Sequence, residues 1–330
     1  MTDEPQPARS VAQTGGPAAR LVHWLLLGGN RLVVAGLLVV ATVVLFYVLV
    51  ARGVLAVGPT SSASTAFGSG LVSGTLTLVT VALSINQLIL SRVFGSPNQL
   101  RDRLDGTRNL RETVRMHADE AVTPNDPAAF LETIGRALSE QGAAFGAALD
   151  AGGPAAASDY AEGIAAYGDS VTENVQPGDE IVDVLDVIVG PEYAQNLTAT
   201  EYVTNEYGSA ISDDGRAQLA VIDDLLETIA ISRQFFKTMA LQQDFARLSR
   251  ILAYSGVVAV LTSVALTLVY RTSSVAVDPE LLPLLVPLGI AVIVTPLAAF
   301  IAYVLRAATI ARRTISVGPF VPPQEQSAGD

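Results

Sequence analysis

The sequence predicts an all-α integral membrane protein: four transmembrane helices in two hairpins, with a helical cytoplasmic domain inserted between spans two and three. Three observations predict it. Uncharged apolar blocks are long enough to cross a bilayer, an acid-rich stretch lies between the second and third of them, and helix start and stop signals punctuate that stretch. The resulting division is a polar tail (1–16), an interfacial helix with the first membrane hairpin (17–95), the acidic helical domain (96–250), the second hairpin (251–305), and a basic juxtamembrane segment with a tail (306–330).

Half of the 330 residues are hydrophobic and 16% are charged. A hydrocarbon core of roughly 30 Å takes about 20 helical residues. Leu32–Ala51 and Ile251–Tyr270 are such blocks, each bracketed by arginines (Arg31 and Arg52, Arg250 and Arg271), and Leu71–Leu90 and Leu281–Leu305 complete the set. A soluble core helix would show a polar face with charged residues, and these blocks carry no charge. Ahead of the first span, Leu21, Trp24, Leu25 and Leu26 suit a short helix lying in the headgroup region. The two tails, residues 1–16 and 317–330, are polar or proline-rich without periodicity and read as disordered.

Charge is divided unevenly. Residues 116–232 hold 22 acidic residues against Arg136 and Arg216, a net of −20, so the rest of the chain carries +8 within the total of −12. Of the 20 basic residues only Lys237 is a lysine. An acid-rich, lysine-poor surface stays hydrated in molar salt, which predicts a halophile's protein; the acidity excludes nucleic acid as a partner of this stretch. Basic residues near the span ends set orientation. Thirteen fall on the side of the termini and the acidic domain, from Arg20 and Arg31 through Arg92, Arg247 and Arg250 to Arg306 and Arg313, against Arg52 and Arg271 on the other. The expectation is a plasma-membrane protein with both termini in the cytoplasm.

Within 96–250 the punctuation is helical. Ser96-Pro97-Asn98-Gln99 is a capping box opening a helix to about Met116. Asp126-Pro127 opens another, with Leu131, Ile134, Leu138 and Phe145 on one face and Gly152-Gly153-Pro154 beyond it. A third covers about Ala157–Val175. Asp179–Val189 is rich in β-branched residues, but Glu180, Asp183 and Asp186 recur at helical spacing opposite Ile181, Leu185 and Ile188, so it reads as a helix. Pro191 opens the next, which Gly208 ends. From about Asp213 nothing breaks the helix before span three, giving one helix of about 55 residues and roughly 80 Å, either a stalk or a packing helix kinked near the headgroups.

Two features inside the spans are candidates for function. Ser73, Thr77, Thr80, Ser84, Gln87 and Ser91 of span two recur every three or four residues and form one polar face, with Asn86 adjacent. In lipid such a face needs either a packed helix or water, so it is a packing face or a pore lining. In span four, Pro296 frees the carbonyl of residue 292 and marks either a gating hinge or a static kink. No full charge lies inside the four blocks, so charge-paired ion sites of the usual kind are not expected there.

The absence of cysteine removes disulfide, thiolate and iron–sulfur chemistry, and only His23 and His117 are available as imidazole ligands, so no metal, cofactor or catalytic residue is assigned. Asp213-Asp214 and Asp223-Asp224 lack the alternating oxygen ligands and turn glycine of a calcium loop. No Gly-rich phosphate loop or nucleophile elbow occurs, so an enzyme is not expected.

The segment from Asn205-Glu206-Tyr207-Gly208 through Gln234-Phe235-Phe236-Lys237-Thr238, Leu241-Gln242-Gln243 and Leu248-Ser249-Arg250, together with Ser84–Arg103, resembles multi-pass membrane proteins of halophilic archaea. The likeness brings no activity to transfer. Two hairpins around a cytoplasmic helical insert are also similar, in topology alone, to bestrophin-type anion channels, whose aromatic neck is not evident in Ser84–Phe94. Two functions follow as expectations. One is a non-enzymatic membrane scaffold or signalling component, homo-oligomeric and open to a cytoplasmic protein partner. The other is a homo-oligomeric ion channel with span two lining the pore.

Overall fold

The computed structural model describes residues 5–11, 15–58, 61–93, 96–149, 154–270 and 275–314. It is helical throughout, without a β-strand among the described residues; one isolated bridge joins Tyr270 and Val275. In chain order the helices are α1 (Pro17–His23), α2 (Arg31–Ala51), the single turn α3 (Ala63–Thr65), α4 (Val72–Val93), α5 (Pro97–His117), α6 (Pro127–Ala147), α7 (Ala155–Glu173), α8 (Ile181–Val187), α9 (Glu192–Tyr207), α10 (Asp213–Val269) and α11 (Leu282–Arg313). π-helical turns, Trp24–Gly28 and Ala66–Leu71, precede α2 and α4.

The punctuation read from sequence is where the helices start. The Ser96 hydroxyl accepts from the Gln99 amide at 3.4 Å while the Gln99 side chain accepts from the Ser96 amide at 3.2 Å, a complete capping box. Asp126 caps α6 through the Ala129 amide at 2.9 Å, with Pro127 in the first turn. The β-branched Asp179–Val189 stretch forms α8, as its acid spacing predicts. α10 runs 57 residues without interruption. The predicted glycine stop at 152–153 lies outside the described residues, as does the predicted C-terminal tail.

The chain folds into two compact units: Met1–His23 with Gly95–Ala240 and Thr309–Asp330, and Trp24–Phe94 with Leu241–Ala308. We call them the helical unit and the membrane unit.

The core of the helical unit is built by the predicted stripes. Leu131, Ile134, Leu138 and Phe145 of α6 are fully buried, as are Ile222, Leu225 and Ile229 of α10. α6 and α7 lie backbone against backbone, because a Cβ at Gly142 would stand 2.7 Å from the Ala165 amide nitrogen, and one at Gly168 would strike Gly135 and Ser139. Phe145 and Tyr160 meet edge to face at 5.7 Å, and the Tyr160 hydroxyl shares a 2.7 Å hydrogen bond with Thr200. The tail read as disordered is in part packed: the Val11 amide donates to Ser170 Oγ at 3.1 Å, Val11 is buried, and Pro7 covers Gly163 of α7. Pro7 and Val11 are apolar residues of a polar segment, and burying them offsets the cost of ordering it.

The membrane unit holds four helices long and apolar enough to cross a membrane, which makes the chain a membrane protein. The second apolar helix begins at Ala66, in the π-turn, rather than at the predicted Leu71. The unit packs through small residues: Val34 and Ala35 of α2 against Ala298, Ala299 and Ala302 of α11, and Ala82 of α4 against Leu248 and Leu252 of α10 and Tyr303 of α11. Ser263 Oγ donates to the Phe67 carbonyl at 2.6 Å and so binds α10 to the π-turn before α4. Hydroxyl-to-carbonyl bonds of this kind act beside close packing to hold helices together in lipid.

Candidate functional site

The polar face of α4 is built by the three-four spacing of its hydroxyls, and the structure turns it outward. Ser73, Thr77, Thr80, Ser84 and Gln87 are all exposed, whereas the inward face carries Thr75 and Ala82, both buried. The hydroxyls satisfy themselves locally: Thr77 donates to the Ser73 carbonyl at 2.9 Å, Thr80 to Leu76 at 3.0 Å and Ser84 to Thr80 at 3.0 Å. The chain's own span three therefore does not cover this face; α10 meets α4 through Gly256 against Val79 and Ser249 against the Ala82 carbonyl. The Ser91 and Asn86 side chains lie outside the described set. Pro296 is buried inside α11, which continues through it to Arg313.

A second constellation lies apart from the residues singled out in the sequence. Asp244 of α10 and Arg306 of α11 form a bidentate pair, with Arg306 Nε donating to Oδ2 at 2.7 Å and Nη2 to Oδ1; they are 2% and 4% exposed. Arg31, also 2% exposed, opens α2 and turns its guanidinium back onto carbonyls of the preceding π-turn and of Gly29 just after it. Nε donates to Gly29 at 2.8 Å, Nη1 to Leu25 at 2.8 Å and Nη2 to Trp24 at 3.0 Å. Arg31 and Arg306, counted from sequence among the basic residues that flank the spans, are buried and hydrogen-bonded. The missed signal is Asp244, the lone acidic residue between Glu227 and Asp278. An isolated acid just ahead of a span, among arginines, marks a buried partner rather than solvated surface.

The helical unit has its own buried cation. Arg233 of α10 is fully buried, donates to the Val189 carbonyl at 2.8 Å and to the Arg313 carbonyl at 2.6 Å, and lies over the Tyr193 ring at 5.1 Å. Lys237, one turn on, donates to the Thr314 carbonyl at 3.0 Å. Both cations thus sit at the C-terminal end of α11, and Arg233 also at that of α8, where the unpaired carbonyls and helix dipole favour positive charge. Nearby, burial pushes the Glu192 carboxyl above its ordinary range, opposed by the Arg233 charge. His23 reaches Asp186 at 3.0 Å and so secures the end of α1.

Chemically, these networks hold helix ends and pair buried charges. The feature directed away from the protein is the polar face of α4. Neither a curated protein nor a solved structure matches the chain. A family model matches residues 2–330, nearly the whole length, and on that match the chain belongs to DUF7972, a family of unknown function.

Proposed function

We propose that the chain is a homo-oligomeric, non-enzymatic scaffold or signalling component of the plasma membrane, with both termini and the acidic helical unit in the cytoplasm. The observation that carries this reading is α10: one uninterrupted helix, Asp213–Val269, supplies Ile222, Leu225 and Ile229 to the core of the helical unit and Leu248, Leu252 and Leu266 to that of the membrane unit. A continuous helix passes a rotation or shift at one end to the other, which a flexible linker cannot do. Two alanines inserted after Ala240 turn one half by about 200° relative to the other. A biotin ligase at the C-terminus should tag a reproducible set of cytoplasmic neighbours in the wild type and a different set in the insertion variant. An identical set from both would sink the proposal. Orientation is tested by single cysteines at the exposed Ser62 and Ser158. A membrane-impermeant maleimide should label the first on intact cells and leave the second unlabelled.

The uncovered polar face of α4 favours a second reading, a homo-oligomeric ion channel in which Ser73, Thr77, Thr80, Ser84 and Gln87 line the pore. Purified chain in planar bilayers distinguishes the two. The scaffold is electrically silent; a channel gives single-channel currents that Gln87→Leu abolishes while oligomer size stays unchanged.

A further inference from the structure

α5 is the basic helix of an otherwise acidic unit, and its two halves differ. Toward its C-terminus it is held by the chain: Val114 is fully buried, Arg111 donates to the Pro124 carbonyl at 2.7 Å, and Arg115 pairs with Glu112. The first three turns are free of such contacts. Every residue from Asn98 to Gly106 is exposed, Leu100 and Leu104 each at 50%. Among the described residues, Arg101, Arg103 and Arg108 form no salt bridge, although the same unit carries a large excess of carboxylates.

At about 100° per residue, Leu100 and Leu104 share one face of the helix. Arg103 flanks that face on one side and Arg101 and Arg108 on the other, while Asp102 and Asp105 point away from it. Two bulky apolar side chains between rows of arginine, with acids behind, is the pattern of a helix lying in a membrane surface. The chain delivers it there. Only Phe94, Gly95 and Ser96 separate α4, the second apolar helix, from Pro97, so α5 begins within about 14 Å of the end of α4.

We propose that Pro97–Arg108 docks on the headgroups of anionic lipids, with Leu100 and Leu104 in the boundary between headgroups and acyl chains and Arg101, Arg103 and Arg108 on lipid phosphates. The capping box at Ser96 starts the helix at the bilayer surface, and the arginines select negative headgroups. The same negative charge that draws in this helix repels the acidic remainder of its unit, so the docked part ends where the acidic stretch begins.

The test uses the full chain in nanodiscs and its natural lack of cysteine. An environment-sensitive fluorophore is placed on Leu104→Cys or, about 100° around the helix and off the apolar face, on Asp105→Cys. Discs contain phosphatidylcholine alone or with about one-third phosphatidylglycerol, plus a lipid spin-labelled near the headgroup. In anionic discs the probe at 104 should be blue-shifted and strongly quenched, the probe at 105 weakly, and the contrast should fall in phosphatidylcholine. Arg101→Gln, Arg103→Gln and Arg108→Gln should each weaken docking by about fivefold at low salt. Should these variants fail to fold, the comparison of the two lipid compositions with all arginines present still decides. Equal, water-like signals at 104 and 105 in anionic discs overturn the proposal. So does a probe at 104 that is shielded from water but not quenched by lipid, which would mean that protein, such as a second copy, covers this face.

Discussion

The two units differ most in what they expose. In the helical unit the large apolar side chains are inside, with Leu131, Ile134, Phe145, Ile164 and Leu225 excluded from solvent, and most of the acids are at the surface. In the membrane unit, Leu37, Val40, Leu45, Val257, Leu261 and Leu284 are exposed, and alanines, Ser263 and the charged Arg31, Asp244 and Arg306 are buried beside a smaller set of large apolar side chains such as Leu252 and Leu266. Each arrangement follows from its solvent. Water drives large apolar groups together; lipid does not, so helices in lipid associate through close backbone approach and hydrogen bonds, and polar groups turn inward. The exposed polar face of α4 breaks that inversion, which is why it is the membrane unit's outstanding functional feature.

If the membrane unit is held by its buried charges, the largest effect should come from Asp244→Asn. It leaves the Arg306 guanidinium buried without a counter-charge and should cost about 3–5 kcal/mol, read as a lowered melting temperature in detergent. The double variant Asp244→Leu with Arg306→Met should recover most of that loss. Failure to recover would show that the pair is needed for more than mutual neutralisation.

The helical unit should respond instead to lost fit. Gly168→Ala places a methyl group against backbone atoms of Gly135 and Ser139, which cannot rotate aside. About 1–3 kcal/mol of destabilisation is expected, followed by thermal loss of helical circular dichroism. A neutral outcome would mean that the α6–α7 contact is looser than described.

Salt should separate the units further. The net of −20 over residues 116–232 is screened as the Debye length falls from about 10 Å at 0.1 M to about 3 Å at 1 M. The melting temperature of the helical unit, followed by a fluorophore at Ser158→Cys, should rise between 0.1 M and 2 M KCl, and that of the membrane unit should change little. Equal stability of the helical unit at both salts would remove the halophile reading.

The smallest expected effect concerns pH. The Glu192 carboxyl is raised in the folded protein, so the folded state holds its proton at pH values where the unfolded chain has released it. Its contribution therefore rises as pH falls through the folded value and is complete below the ordinary carboxylate pKa. Asp223, raised by burial and by Glu227, Asp224 and Glu201, adds in the same direction. Glu192→Gln should be stabilising near neutral pH and should flatten the gain on mild acidification. An unchanged pH profile would place that gain elsewhere.

The sequence by itself determined the elements. Helix starts depend on a few neighbouring residues, as at Ser96-Pro97-Asn98-Gln99 and Asp126-Pro127, and core stripes on periodicity, as in Leu131 to Phe145, so both are written locally. The four apolar helices are likewise a matter of length and composition. The tertiary structure alone decided which side of each element is covered. Asp244 and Arg306 lie 62 positions apart, and nothing local pairs them. The carbonyls that Arg31 and Arg233 satisfy are brought to them by other turns of chain. The span-two stripe was legible as a polar face, but whether span three covers it depends on which side of α4 meets α10, and the close fit of Val79 to Gly256 and of Ser249 to the Ala82 carbonyl turns the stripe outward. Periodicity defines a face; long-range packing selects what that face meets.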